Sequence, residues 1–149
     1  FESLQCINYS VYLVFMHTNQ SGIARGYYRL EDVHACNQRM LELYNLNTGF
    51  WDGVCIAPEH PEDKELGYRK PSQKYEFEMV QKYNLNPSLC WMIGDKWIDV
   101  ETGLKSKMNA ALVRTGKQIS TETEKLASSQ NVPICEDLSS FCKIHLFQS

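Results

Sequence analysis

Residues 89–107 read LCWMIGDKWIDVETGLKSK and contain the strand, loop and helix pattern that decides the fold. The apolar run at residues 89–93 has the length of a strand buried on both faces, and the spacing of apolar residues over 98–107 predicts a helix. A short polar string that contains Asp95 lies between them. This order predicts a parallel strand followed by a functional loop, because ligands bind beyond the carboxyl ends of such strands.

The same pattern recurs along the chain. Four other apolar runs have strand length, at residues 11–16, 53–56, 110–113 and 132–135. Three other segments have helical spacing, at residues 30–44, 72–83 and 121–128. Strands that alternate with helices are typical of a doubly wound α/β sheet. We therefore predict one Rossmann-like α/β domain over residues 1–149, with a parallel sheet flanked by helices.

Composition excludes several classes of partner. The chain has 149 residues, 43% of them apolar, and a formal net charge of -3. This balance gives no basic surface for nucleic acid, and no window has the apolar length of a membrane span. We expect a small-molecule partner, and the composition leaves the oligomeric state open.

The six cysteines favour a reducing compartment. They are scattered and form no C-x-x-C pair, and several lie in apolar runs, where a free thiol behaves as a small apolar residue. The chain opens Phe-Glu-Ser-Leu, without the basic segment of a signal peptide. We predict reduced thiols and a cytoplasmic setting.

Polar side chains follow the first predicted strand, at residues 17–27. Thr18 can present an O–H donor to a phosphate oxygen, and Gly22 frees neighbouring backbone N–H groups to do the same. A string of this composition also forms ordinary turns, and that alternative stays open at this point.

A pair of cations ends the long polar connection at residues 58–71. Arg69 and Lys70 precede a proline there, and two cations on a stiff turn suit recognition of a dianion. The alternative is a solvated surface pair, since most exposed charges contribute little.

An acidic pair follows the strand predicted at residues 89–93. Asp95 and Asp99 are one helical turn apart, and carboxylates in this arrangement suit a hard cation such as Mg²⁺. Asp95 could instead cap the next helix. Because all three loops follow strands of one predicted sheet, we expect Thr18, Lys70 and Asp95 to lie within about 10 Å of one another.

Four strings carry a resemblance to a known family. They are VYLVFMHTNQSGIARGYY at 11–28, RKP at 69–71, WMIGDKWIDVETG at 91–103 and ALVRTGK at 111–117. They resemble the second, third and fourth motifs of haloacid-dehalogenase-superfamily phosphatases, and within them the heptose-bisphosphate and histidinol-phosphate phosphatase group. The resemblance covers roughly residues 1–118.

The resemblance implies roles for the polar residues of the second motif. Thr18 would be the phosphate-binding hydroxyl, with Asn19 donating beside it. Gln20 and Arg25 would contact the substrate or its phosphate.

The resemblance also implies roles for the later motifs. Lys70 would be the cation that neutralises the nucleophile and the phosphoryl group, and Arg69 would hold substrate phosphate. Asp95 would be the Mg²⁺ ligand. Lys96 would contact phosphate, and Asp99 would orient the loop rather than bind the metal directly.

The family nucleophile is the first aspartate of an Asp-x-Asp motif, and no Asp-x-Asp occurs in these 149 residues. In the family this motif precedes the present first residue, so residues 1–8 would be the end of the following helix. The strand that carries the motif is central in the family sheet, and its loss would leave two unpaired strand edges. We therefore expect the chain to be an N-terminally incomplete domain.

The resemblance also raises the question of zinc. Bacterial members of the group often bind a structural zinc ion before the Arg-Lys-Pro string. The four expected ligand positions hold Ala57, Glu59, Leu66 and Tyr68. His60 and the displaced Cys55 cannot form a four-ligand site alone, so we predict no zinc.

These inferences predict a Mg²⁺-dependent phosphomonoesterase that acts on a phosphorylated sugar through an aspartyl-phosphate, with the nucleophile outside these residues. One alternative is a histidinol-phosphate phosphatase, because phosphate-binding motifs do not identify the leaving group. The other is a catalytically inactive domain that binds phosphate or a protein partner.

Overall fold

The computed structural model describes residues 4, 7, 12–63 and 67–147, and the chain forms two compact units, Phe1–Ser72 and Gln73–Ser149. Each unit contains its own parallel sheet and at least one α-helix. The α/β class predicted from the sequence is confirmed. A single domain over the whole chain stays a prediction.

The first unit is built on two parallel strands. Strand β1 (Phe15–Asn19) pairs with β2 (Gly53–Ala57) in a register that runs from Phe15 opposite Gly53 to Asn19 opposite Ala57. Helix α1 (Leu30–Leu43) lies between them in sequence and buries Val33 and Leu41.

The position of β1 differs from the prediction. The apolar run indicated a strand at residues 11–16, whereas β1 spans Phe15–Asn19. Just before β1, the backbone N–H of Val14 donates to the Asp52 carboxylate over 2.6 Å, and Asp52 N–H donates to the Val14 carbonyl over 2.8 Å. At its other end, the parallel pairing of β1 with β2 includes the polar residues Thr18 and Asn19, which hydropathy alone would assign to a loop. Thr18 lies in the strand rather than after it.

The second unit has three parallel strands in the order β3-β4-β5. Its strands are β3 (Trp91–Gly94), β4 (Asn109–Val113) and β5 (Ile134–Cys135). Its α-helices are α2 (Lys74–Tyr83), α3 (Trp97–Lys105), α4 (Thr121–Ser129) and α5 (Leu138–Phe141), the last continued by a π-helical turn at Cys142–Leu146. Within the described ranges, no helix is both long and apolar enough to cross a membrane.

The core of the second unit holds the three-stranded sheet against its helices. Val100 of α3, Leu112 of β4 and Ala127 of α4 are fully buried in one apolar cluster, which also contains Val132. Burial of one Leu or Val side chain contributes about 1.5–3 kcal/mol, so this cluster fixes the helices that flank β4.

Most of the second unit's elements were predicted, with boundaries that differ by one to a few residues. Leu89 was predicted to begin a strand, but it ends a 3₁₀ turn at Pro87–Leu89 and is 75% exposed. The C-terminal helix α5 was not predicted. The helix expected over residues 1–8 lies, except for Leu4 and Ile7, outside the described residues.

The loop after β4 holds the aspartate that follows β3. Asp95 Oδ2 accepts a hydrogen bond of 2.8 Å from the backbone N–H of Lys117. The preceding residue, Gly116, has φ +146°, and a Cβ there would lie 2.5 Å from Asp95 Oδ2. Glycine is required at this position because both the backbone conformation and the space exclude a side chain.

We predict that Gly116→Ala lowers the free energy of unfolding by about 1–3 kcal/mol, because alanine disfavours the positive φ and its methyl group collides with Asp95. Urea denaturation monitored by circular dichroism measures the change. Gly49→Ala is a matched control, since a Cβ at Gly49 makes only an ordinary contact of 3.5 Å with Asn47. Equal stability of both variants and the unsubstituted chain would contradict the prediction.

Candidate functional site

Lys70 lies inside the first unit rather than on its surface. It is 8% exposed, and its Nζ donates a hydrogen bond of 2.7 Å to the backbone carbonyl of His17 in β1. The alternative of a solvated surface pair is therefore wrong for Lys70. A charge buried to this extent requires polar partners, because its transfer from water is otherwise very unfavourable.

The side chain of Asn19 fixes the backbone of Lys70. Asn19 Nδ2 donates to the Lys70 carbonyl over 3.2 Å, and Lys70 N–H donates to Asn19 Oδ1 over 2.9 Å. Since Asn19 is the last residue of β1, this reciprocal pair fastens Lys70 to the end of the strand. Both polar atoms of the Asn19 side chain therefore bind the Lys70 backbone. The predicted contact of Asn19 with phosphate stays a prediction.

The residues before Lys70 are also fastened to their surroundings. The His17 ring nitrogen Nε2 lies 2.7 Å from the Tyr68 carbonyl and donates to it. Glu59 Oε1 accepts the N–H of Tyr68 over 2.8 Å, and Arg69 Nη1 donates to the Glu59 carbonyl over 3.4 Å. Neither residue was assigned a role from the sequence, except that Glu59 occupies an expected zinc-ligand position. The contacts described above are with backbone atoms, which no side-chain motif records.

The Thr18 hydroxyl takes part in a chain of side-chain hydrogen bonds. Gln20 Nε2 donates to Thr18 Oγ1 over 2.9 Å, and the Tyr28 hydroxyl donates to Gln20 Oε1 over 2.7 Å. The Gln20 backbone N–H donates to the Ala57 carbonyl over 2.7 Å, which continues the pairing of β1 with β2. Tyr28 was not singled out from the sequence.

The turn expected from the polar string is present, but it begins after Thr18. Hydrogen bonds from Arg25 N–H to the Ser21 carbonyl (3.1 Å) and from Tyr27 N–H to the Gly22 carbonyl (2.8 Å) close it. The Arg25 side chain is exposed on this turn. Its contact with substrate stays a prediction.

In the second unit, Asp95 follows β3 directly, and its carboxylate faces the loop after β4 through Lys117 N–H. The helix-cap alternative is wrong for Asp95. Helix α3 begins at Trp97, and the carboxylate at its first turn belongs to Asp99, whose Oδ2 accepts the Lys96 N–H over 3.2 Å.

Asp99 and Lys96 occupy different environments. Asp99 is 5% exposed and holds the backbone of the loop, as expected for a residue that orients its neighbours. Lys96 has an exposed side chain. The roles of Lys96 and Asp99 toward a substrate stay predictions, as does the expected proximity of Thr18, Lys70 and Asp95.

Two groups of the loop before Lys70 that could bind zinc, the His60 ring and the Asp63 carboxylate, accept hydrogen bonds from backbone N–H groups. The His60 backbone N–H donates to Asp63 Oδ2 over 2.8 Å, and His60 Nδ1 accepts the Glu62 N–H over 3.3 Å. Across the described part of the chain, no three His, Cys, Asp or Glu side chains are grouped closely enough to hold a metal ion. Absence of zinc from the protein stays a prediction.

A search of solved structures identifies the fold. The D,D-heptose 1.7-bisphosphate phosphatase from B. bronchiseptica, solved with magnesium and phosphate, superimposes with a TM-score of 0.82. The match covers 99% of this chain and 82% of that protein at 22% identity. At this identity the likeness establishes the α/β fold.

Sequence comparisons establish the family. Residues 67–141 match the family model described as "HAD-hyrolase-like". The D-glycero-beta-D-manno-heptose-1,7-bisphosphate 7-phosphatase of Pasteurella multocida is 34% identical over 134 residues, which cover 85% of this chain and 72% of that protein. The protein of the same name from Haemophilus ducreyi is 36% identical over 126 residues, which cover 78% of this chain and 68% of that protein. The chain therefore belongs to the HAD-like hydrolases, as the motifs predicted, in the group that contains these phosphatases.

Proposed function

We propose that this protein is a Mg²⁺-dependent phosphomonoesterase that acts on a phosphorylated sugar of the D-glycero-D-manno-heptose 1,7-bisphosphate type. The observation that carries the proposal is the buried Lys70 ammonium beside β1, the strand that presents Thr18. The relatives from Pasteurella multocida and Haemophilus ducreyi are named for this substrate, which supports the sugar over the histidinol alternative.

Lys70 and Thr18 supply the electrostatic part of the proposed reaction. The Lys70 ammonium, fixed at the His17 carbonyl, favours a phosphate dianion and the charge that develops during transfer. The Thr18 hydroxyl donates a hydrogen bond to one phosphate oxygen. Because both groups are held before substrate arrives, little reorganisation is needed as the reaction proceeds.

Asp95 fits the requirements of a Mg²⁺ ligand. Mg²⁺ in phosphoryl-transfer sites binds one or two carboxylates together with substrate oxygens and water. A carboxylate has roughly four acceptor positions, and the Lys117 N–H uses one of those on Asp95. When bound, the ion would neutralise negative charge on the phosphoryl group.

The proposed nucleophile is an aspartate outside these 149 residues. In the family reaction its carboxylate oxygen attacks phosphorus, the bond to the sugar oxygen breaks, and that oxygen takes a proton from the second aspartate of the Asp-x-Asp motif. Water then hydrolyses the aspartyl-phosphate and releases inorganic phosphate. The substrate would be a small phosphorylated metabolite, and the cytoplasm is the proposed setting.

A second candidate is a phosphate-binding domain without catalysis. The observation in its favour is that the 149 residues contain no Asp-x-Asp. The intact mass and N-terminal sequence of the native protein distinguish the two candidates. An upstream Asp-x-Asp supports the enzyme, and a native protein with the present first residue supports the binding domain.

We predict that a polypeptide of residues 1–149 shows no Mg²⁺-dependent release of phosphate from p-nitrophenyl phosphate or heptose 1,7-bisphosphate. It would bind phosphate but would have no group to attack phosphorus. A colorimetric phosphate assay, with Asp95→Ala as the control, measures the activity. Turnover that the Asp95→Ala substitution abolishes would place the nucleophile within these residues and contradict the prediction.

In a native polypeptide that includes the nucleophile, we predict that Lys70→Ala costs about 2–4 kcal/mol of transition-state stabilisation, because a preorganised cation is lost. The corresponding fall in kcat/KM is about 30-fold to 1,000-fold. Lys125→Ala is the matched control, since Lys125 is exposed on α4. Circular dichroism checks that the Lys70 variant is folded, and an unchanged kcat/KM in a folded variant would refute the role.

We predict less than stoichiometric zinc in the purified protein, because the expected thiolate positions hold Ala57, Leu66 and Tyr68. Inductively coupled plasma mass spectrometry measures the metal content. One zinc ion per chain that disappears in His60→Ala would contradict the prediction, because His60 would then be a zinc ligand.

A further inference from the structure

We propose that Tyr28 and Gln20 are positioning residues that direct the hydroxyl hydrogen of Thr18 toward phosphate. This inference rests on the proposed function and extends it to residues that do not themselves touch the reacting group. It assigns Gln20, which the motifs placed in contact with phosphate, an indirect role through Thr18. Tyr28 acquires a role that the motifs did not give it.

The geometry determines which group donates in each of the two hydrogen bonds that connect Tyr28, Gln20 and Thr18. The Tyr28 hydroxyl donates to Gln20 Oε1 over 2.7 Å, and Gln20 Nε2 donates to Thr18 Oγ1 over 2.9 Å. A primary amide accepts only at its oxygen and donates only at its nitrogen. A donor at the oxygen end therefore leaves the nitrogen end to donate, and Thr18 Oγ1 is the acceptor.

The direction of these bonds decides what Thr18 can offer a ligand. A hydroxyl has a single hydrogen, and a hydroxyl that already accepts a bond from Gln20 keeps that hydrogen for another acceptor. Successive bonds of this kind polarise one another, which strengthens the donor at the end of the series. An unprotonated phosphate oxygen only accepts hydrogen bonds, so it matches the Thr18 hydroxyl in this state.

The turn after β1 has the shape that the Tyr28 ring requires. A Cβ at Gly22 would overlap the Tyr28 ring and hydroxyl, so the ring packs directly over the glycine backbone. The bond from Tyr27 N–H to the Gly22 carbonyl closes the turn and brings Tyr28 back over it. Glycine at position 22 therefore leaves the space that the Tyr28 ring occupies.

Tyr27 provides a matched control. Tyr27 is 74% exposed and Tyr28 is 37% exposed, and Phe substitution removes one hydroxyl from either residue. Only the Tyr28 hydroxyl contacts Gln20 in the described structure. A general effect of losing a surface phenol would appear in both variants.

Isothermal titration calorimetry of the native polypeptide with inorganic phosphate and Mg²⁺ tests the inference. We expect Tyr28→Phe to weaken phosphate binding by about threefold to tenfold, the usual effect of one neutral hydrogen bond, and Tyr27→Phe to leave it unchanged. In a Thr18→Val background, Tyr28→Phe should have no further effect. Additive losses in the double variant would overturn the inference, because Tyr28 would then act independently of Thr18.

Nuclear magnetic resonance separates this inference from the proposed function. We expect Tyr28→Phe to shift the side-chain amide signals of Gln20 and the methyl signal of Thr18 without added phosphate, whereas Tyr27→Phe should not. Unshifted signals with intact phosphate binding would overturn the inference alone. If the unsubstituted chain binds no phosphate, the proposed function fails at this site, and the purpose assigned to Tyr28 fails with it.

Gln20→Met tests the role of Gln20 as the link, because it removes the bond to Thr18 without adding a charge near phosphate. We expect Gln20→Met to weaken phosphate binding at least as much as Tyr28→Phe, and Tyr28→Phe to have no further effect in the Gln20→Met background. Phosphate binding equal to that of the unsubstituted chain would overturn the inference.

Discussion

The candidate site in the first unit depends on the two hydrogen bonds between Asn19 and the backbone of Lys70. They join the end of β1 to a loop 51 residues later in the chain. Once the Lys70 backbone is fixed there, its ammonium reaches the His17 carbonyl within the same strand. Net stabilisation from each neutral bond is only about 0.5–1.5 kcal/mol, but a buried lysine left without acceptors would cost more than these bonds contribute. The position of the cation therefore depends on Asn19, together with the His17 contact that holds the residues before Lys70.

The second unit contains an equivalent hydrogen bond between a side chain at the end of a strand and a distant backbone N–H. Asp95 Oδ2 accepts the N–H of Lys117, 22 residues later, just as Asn19 Oδ1 accepts the N–H of Lys70. In each unit a residue at the carboxyl end of a parallel strand binds the backbone of a distant loop. A carboxylate keeps acceptor capacity for a cation after forming this bond, whereas an amide has no charge to offer one. After forming this hydrogen bond, Asp95 still has the charge and acceptor capacity that a metal ion requires, whereas Asn19 is suited to holding the loop in place.

Sequence patterns predicted the elements whose residues are uniformly apolar and missed features set by pairing. The run at 53–56 matched β2 (Gly53–Ala57) to within one residue, because a continuous apolar run of strand length is visible in the sequence. β1 was placed four residues too early, since the Val14–Asp52 bonds and the parallel register are invisible to hydropathy. Motif resemblance identified Thr18 as a candidate site residue. It could not identify Tyr28, whose contribution depends on a turn that folds it back over β1.

The hydrogen bonds that hold the loop before Lys70 use the backbone of Tyr68 rather than its side chain. Glu59, which stands at an expected zinc-ligand position, accepts the N–H of Tyr68, and the carbonyl of Tyr68 in turn accepts from His17. The loop is therefore attached to β1 through the backbone carbonyl at position 68, which every residue type has. Replacement of a metal-binding thiolate there would leave those bonds unchanged. For this reason the position of Lys70 and the metal content of the loop are separate properties, and evidence about one does not decide the other.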